Sequence, residues 1–237
     1  MRRDRASCIA SELLADLSSR PAQVLLLGFC SLLYPALMGM ADGGISHVPG
    51  LAADGLGLRH SMVTAMLGPA SMVLVIVTEL LFPRKLRREL EPFLAAPVTS
   101  SEIVLGWALV PAAAATLYVV AAFPLCELGF GVISRSPLTH LGADVIAFTL
   151  STAVSTVWVL AGSLDALFKA AGPAEFTLRM IPAWILLLAI EGARQSLRFL
   201  GYPRAAAAAL FAGLILGLCA LALVARRLDR EDLIQRI

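Results

Sequence analysis

The run Ala205-Ala206-Ala207-Ala208-Ala209-Leu210-Phe211-Ala212-Gly213-Leu214-Ile215-Leu216-Gly217-Leu218-Cys219-Ala220-Leu221-Ala222-Leu223-Val224-Ala225 contains no charged residue from one flanking arginine, Arg204, to the next, Arg226. A helix of that length is about 30 Å long, which matches the hydrocarbon thickness of a bilayer. Working outward, four further uncharged runs cover 21–41, 61–78, 103–126 and 145–164. The second regains Leu80, Leu81 and Phe82 beyond Glu79 and reads as a span over 61–82. Each run is long enough, or nearly so, for one helical crossing.

Composition agrees with that reading. Of 237 residues, 59% are hydrophobic and 15% charged, whereas soluble domains carry about 25% charged residues. The mean hydropathy is +0.83. A water-soluble enzyme with one buried core is excluded, and so is a disordered chain. A net charge of +2 is too small to point to nucleic acid. Cys8, Cys30, Cys126 and Cys219 are widely spaced without a CxxC pair, so they suggest neither a disulfide framework nor a zinc site.

Residues 180–190, MIPAWILLLAI, lie between Arg179 and Glu191 and are short for a crossing. Extension back to Phe176 makes a span over 176–191, with a re-entrant or partly interfacial segment as the competing reading. The basic residues favour the crossing. With six spans, one side of the membrane holds fourteen of the nineteen: Arg2, Arg3, Arg5, Arg20, Arg84, Lys85, Arg87, Arg88, Lys169, Arg179, Arg226, Arg227, Arg230 and Arg236. The other five are Arg59, Arg135, Arg194, Arg198 and Arg204. The positive-inside rule then places both termini in the cytoplasm, and five spans would strand the basic tail outside. The expected architecture is a single all-α, polytopic membrane domain over 1–237 with six transmembrane helices. Gly201 and Pro203 are expected to break a short outer helix, roughly 192–200, that folds back against the bundle.

The N-terminus lacks the pattern of a cleaved signal peptide, because Glu12, Asp16 and Arg20 precede the first apolar run. Ile9, Leu13, Leu14 and Leu17 recur at helical spacing opposite Ser11, Glu12, Asp16 and Ser18, which suits an interfacial helix over 6–20. A frayed tail is the plain alternative.

After the second span comes Pro83-Arg84-Lys85-Leu86-Arg87-Arg88-Glu89-Leu90-Glu91-Pro92-Phe93-Leu94-Ala95-Ala96-Pro97-Val98. Leu86, Leu90, Phe93 and Leu94 share one helical face, and four basic and two acidic groups take the other. Pro83 suits a helix start, Pro97 a stop, and Pro92 a bend or a first-turn position. Such a helix serves either as a lever gripped by a soluble partner or as an anchor on anionic lipid.

The run Leu90-Glu91-Pro92-Phe93-Leu94-Ala95-Ala96-Pro97-Val98-Thr99-Ser100-Ser101-Glu102-Ile103-Val104-Leu105-Gly106 resembles the coupling segment of type-2 ABC transporter permeases. There a Leu-Glu-x-Leu-Leu-x-x-Pro-Val pattern, then Glu-Ile and Gly, leads from the cytoplasmic coupling helix into the third span. The resemblance covers about twenty residues in motif and the chain in outline, including an interfacial N-terminal helix, six spans and a basic cytoplasmic tail. It implies the membrane-spanning permease subunit of an ATP-binding cassette exporter, multi-pass in the cell membrane of a bacterium. The coupling helix would be 84–97, with Arg87, Arg88, Glu91, Phe93, Leu94 and Pro97 as its ATPase-coupling residues and Glu91 at the family's acidic position. The implied partners are a separate ABC ATPase subunit and a second membrane half, as a homodimer or a paired permease. The implied cargo is a small molecule or a lipid-like substrate. Three departures stand out: Arg88-Glu89 occupies the place of a usual Gly-Thr, Trp107 replaces a usual Lys, and a Ser-Gly and Pro-rich stretch before the fifth span is missing.

No GxxxxGK[ST] occurs, and Gly55-Leu56-Gly57 lacks the lysine of a phosphate loop, so ATP is expected on the partner and no cofactor on this chain. No GxSxG accompanies the serines, and the chain is read as a transport subunit, not an enzyme. His47, His60 and His140 fall in different loops without metal-ligand spacing to Asp42 or Glu127. Gly213 and Gly217 form a GxxxG that fits a dimer seam or packing within one subunit. Glu79 and Glu191 are the ionisable groups nearest the hydrocarbon; Arg194 stands three residues after Glu191 and can neutralise it. A secondary carrier, which needs a charged or broken-helix site at the midplane, and a non-transporting membrane scaffold are the rival functions.

Overall fold

The computed structural model describes residues 3–29, 33–45, 57–86, 99–134 and 141–227. All the regular elements among them are helical: α1 (Arg3–Ser18), α2 (Pro21–Gly28), α3 (Tyr34–Ile45), α4 (Gly57–Ile76), a π-helical turn (Val77–Leu81), α5 (Phe82–Leu86), α6 (Ser100–Ser134), α7 (Leu141–Lys169), α8 (Pro173–Phe199) and α9 (Pro203–Arg227). Helices are the expected answer to long apolar runs, since each backbone group finds its partner within the segment and none needs water.

Five helical stretches are long and apolar enough to cross a membrane: Ala65–Leu86, Ser101–Gly129, Val145–Lys169, Pro173–Leu197 and Arg204–Arg227. They correspond to the second through sixth expected spans. The first, 21–41, is described as α2 and α3, and residues 30–32 between them lie outside the described residues. The observed helices outrun the uncharged stretches because charges that end those stretches are matched along their own helices. Lys169 bonds Asp165 at 2.5 Å, Arg179 bonds Glu175 at 2.5 Å, and Arg194 meets Glu191. Spacings of three and four put both partners on one face, so the helix continues through them.

This pairing corrects one expectation. No separate outer helix folds back over 192–200; α8 continues to Phe199. Arg194 donates through Nε and Nη2 to the two carboxylate oxygens of Glu191, Gln195 adds a bond to Oε1, and both charged residues are buried. A charge neutralised inside the bundle gives the helix no reason to stop at the hydrocarbon edge. The break comes only at Gly201, whose φ of +82° suits a residue without Cβ, and Pro203 then opens α9.

At the centre stands α7, which packs against α4, α6, α8 and α9, while α6 also takes α1 and α3 along its length. Val159, Leu164 and Leu167 of α7 are fully enclosed. By contrast α9 is peripheral, with 17% of its span buried against 65% of the second span. Leu117, Leu178, Ile185 and Ile215 are each more than half exposed, on the flanks of this bundle. An apolar surface of that kind is unsuited to water and natural to lipid.

Close approach of α8 and α9 to their neighbours depends on small residues. A Cβ on Gly213 would stand 3.0 Å from Ile190 Cγ2, and one on Gly217 would stand 3.0 Å from Val157 Cγ1. Trp158 Nε1 donates to the Gly213 carbonyl at 2.9 Å. Both glycines therefore face α7 and α8 of the same chain, and their small size is used there.

Candidate functional site

The coupling residues read from the sequence, Arg87, Arg88, Glu91, Phe93, Leu94 and Pro97, all lie outside the described residues, as does most of 84–97. The two roots of that connection are described, and they hold the densest set of long-range polar contacts at this end of the bundle. One root is the end of the second span. Its form follows from two prolines.

Pro69 in α4 and Pro83 in α5 each lack the N–H that the carbonyl four residues earlier would receive in an α-helix. For Pro69 that carbonyl belongs to Ala65, and Thr152 Oγ1 of α7 donates to it at 3.2 Å; Ser155 Oγ donates to the next carbonyl, Met66. For Pro83 it belongs to Glu79, and Arg20 Nη1 donates to it at 2.8 Å. The π-turn immediately before Pro83 widens the helix where the ring would otherwise crowd the preceding turn. Both freed carbonyls of the second span are thus served by side chains of other elements, as a low-dielectric surround requires.

Arg84 and Lys85 then tie this root in two directions. Arg84 meets Glu12 at 3.3 Å and Asp16 at 3.1 Å on α1, and Asp16 also pairs with Arg20 at 3.2 Å. Lys85 is 6% exposed, and its ammonium donates to the carbonyls of Leu167 (2.7 Å), Phe168 (3.2 Å) and Ala170 (2.7 Å). These belong to the end of α7, where the last carbonyls of a helix have no donors of their own and the helix dipole is negative. Phe82 beside it packs on Phe176 of α8, ring centres 5.3 Å apart.

The other root is the start of α6. Thr99 and Glu102 form a capping box: the Glu102 carboxylate accepts from Thr99 N–H at 2.7 Å and Thr99 Oγ1 at 2.9 Å, while Glu102 N–H donates back to Thr99 Oγ1 at 3.3 Å. Behind it Ile103, Val104 and Trp107 are buried. Trp107 stacks on Phe168 at 5.5 Å and so serves packing against the end of α7. Ile9 and Leu13 of α1 belong to the same apolar cluster. Leu14, expected on that face, is 52% exposed.

The polar face expected for 84–97 therefore needs correction at its start. Pro83 does not begin a separate helix, because the helical path runs unbroken from the second span to Leu86. Arg84 and Lys85 point into the protein, and Leu86 is 55% exposed. The amphipathic pattern places both cations on the polar face of 84–97 and shows neither the partner of Arg20 nor the capping box. Thr99-x-x-Glu102 ahead of an apolar run was a readable signal, and Pro83 was a signal for a carbonyl in need of a donor. Nothing local marked Lys85.

A groove of about 310 Å³ runs between α6 and α7, lined by Ala112, Ala115, Thr116, Val120, Thr149, Thr152, Ala153, Thr156 and Val157. Its four threonine hydroxyls all donate to backbone carbonyls, of Ala112, Val145, Ala65 and Thr152. The groove is accordingly an apolar surface. Among the described residues no three His, Cys, Asp or Glu side chains gather as metal ligands.

The helices and their apolar flanks define a helical, membrane-embedded protein. Compared with known proteins, the chain matches no family model, no curated protein and no solved structure.

Proposed function

We propose that this chain is the membrane-spanning permease subunit of an ABC exporter of the type-2 class, driven by ATP hydrolysis on a separate subunit. The observation that carries the reading is the Leu90–Gly106 segment, with Leu-Glu, Pro97-Val98, Glu102-Ile103 and Gly106 in the family's order, set between the second and third spans. The two roots of that segment support it. A segment that receives force from a soluble partner needs stiff attachments, and here one end is bonded to α1 and α7 and the other starts on a capping box. In this reading the basic end of the bundle is cytoplasmic, α1 is interfacial, residues 21–41 complete six spans, and a second membrane half joins the first. The cargo is a small molecule or a lipid-like substrate.

Purification of the tagged chain from its native membranes in mild detergent tests this. A co-purifying polypeptide that hydrolyses ATP is the expected result, and its loss in Glu91→Lys, with the chain still inserted in the membrane, would place docking on the connection. Purification of the chain with no ATPase at any detergent strength overturns the reading.

A further inference from the structure

We propose that Lys85 is a positioning residue that makes α5, the last turn of the second span, and the adjoining end of α7 one mechanical unit. The proposal rests on the transporter reading only for the use to which the linkage is put. Lys85 precedes the connection by two residues and is the last buried side chain before it. Its ammonium is a compact charge with three N–H donors, and it meets three carbonyls, those of Leu167, Phe168 and Ala170. The match has consequences for both partners. The end of α7 obtains its cap from another span, and α5, which continues the second span, is tied at its last turn to α7.

The other contacts of this junction separate two roles. Arg84 faces α1 through Glu12 and Asp16, whereas Lys85 faces α7. Cutting the first link loosens α5 from the N-terminal helix, which still packs on α6. Cutting the second releases the last turn of the second span from the end of the helix that touches α4, α6, α8 and α9. A displacement of Leu86 is thus shared with the end of α7 through Lys85, and Phe82 against Phe176 keeps α8 beside the same joint.

Paired spin labels measure this directly. Leu86→Cys and Ala171→Cys, both at exposed positions, are labelled in a chain whose four native cysteines, Cys8, Cys30, Cys126 and Cys219, are serine, and the protein is placed in lipid nanodiscs. The parent is expected to give one narrow 86–171 distance distribution. Lys85→Met should broaden it and add longer distances, while Asp16→Asn, which cuts the α1 link, should leave it narrow. A role confined to stability would lower the unfolding midpoint and leave the distribution unchanged. A Lys85→Met distribution that superimposes on the parent's overturns the proposal. Should Lys85→Met not yield monodisperse protein, Lys85→Leu, which also removes the ammonium donors, is read by the same criterion. The measurement uses this chain alone, so the absence of an ATPase partner would overturn the transporter reading without touching this result.

Discussion

The two ends of the second span differ in whether charge holds them. At the Ala65 end, Gly68 lets Tyr118 of α6 lie directly on the helix, and Tyr118 stacks with Phe148, which meets Phe123 edge-on at 5.3 Å. That cluster also holds Ala65, Met72 and Ala122, and none of its members carries a charge. At the Pro83 end, the span is fastened by Arg20, Arg84 and Lys85 through charge-assisted bonds to a carbonyl, two carboxylates and the end of another helix. The difference teaches how helices stay together where lipid removes the hydrophobic drive between them. Association then rests on close packing or on polar groups with nowhere else to bond, and in this span packing and neutral hydroxyl bonds hold one end while charge-assisted bonds hold the other. A packed end resists any change of shape, whereas a bonded end can be released and remade, which suits the end from which the connection leaves.

The comparison breaks most readily at the packed end. A Cβ on Gly68 would fall 2.1 Å from Tyr118 Oη and 2.2 Å from Cζ, and Tyr118 is fully buried. Gly68→Ala is expected to cost about 3 kcal/mol, since the ring has no free space to enter, seen as a lowered thermal midpoint in mild detergent. A midpoint at or above the parent's would show that the ring moves freely. Lys85→Met comes next, at about 2 kcal/mol, because it uncaps buried carbonyls that had a charged donor. If the bonded end were only decorative, that variant would unfold with the parent.

Thr152→Val sharpens the same contrast within one span. It removes the donor to the carbonyl that Pro69 leaves open, at a cost of roughly 1 kcal/mol. Ser155 on the adjacent carbonyl limits the loss. A larger drop than for Lys85→Met would place the weak point of the second span at Pro69. The smallest effect is expected from Asp16→Asn, about 0.5 kcal/mol, for a pair whose side chains are 14% and 19% exposed. That difference from the parent should shrink between 50 mM and 500 mM salt, concentrations that are roughly below and above the range where surface pairs are screened. A difference that persists at high salt would assign Asp16 a buried role.

Length and hydropathy determined the membrane class, and five of the expected spans recur as helices, because a run such as 205–225 carries its own signal whatever lies beside it. The pairing of Glu191 with Arg194 was legible for the same reason, being three residues apart on one helix. Only the tertiary structure decided where α8 ends, that Gly213 and Gly217 are used within the chain, that Gly68 makes room for Tyr118, and that Lys85 closes α7. Each of those depends on which helices are neighbours and in what register. Carbonyls at a helix end and carbonyls freed by a proline announce that a donor is needed, but the donor comes from residues 59 to 87 positions away, and its identity is set by the packing of the bundle.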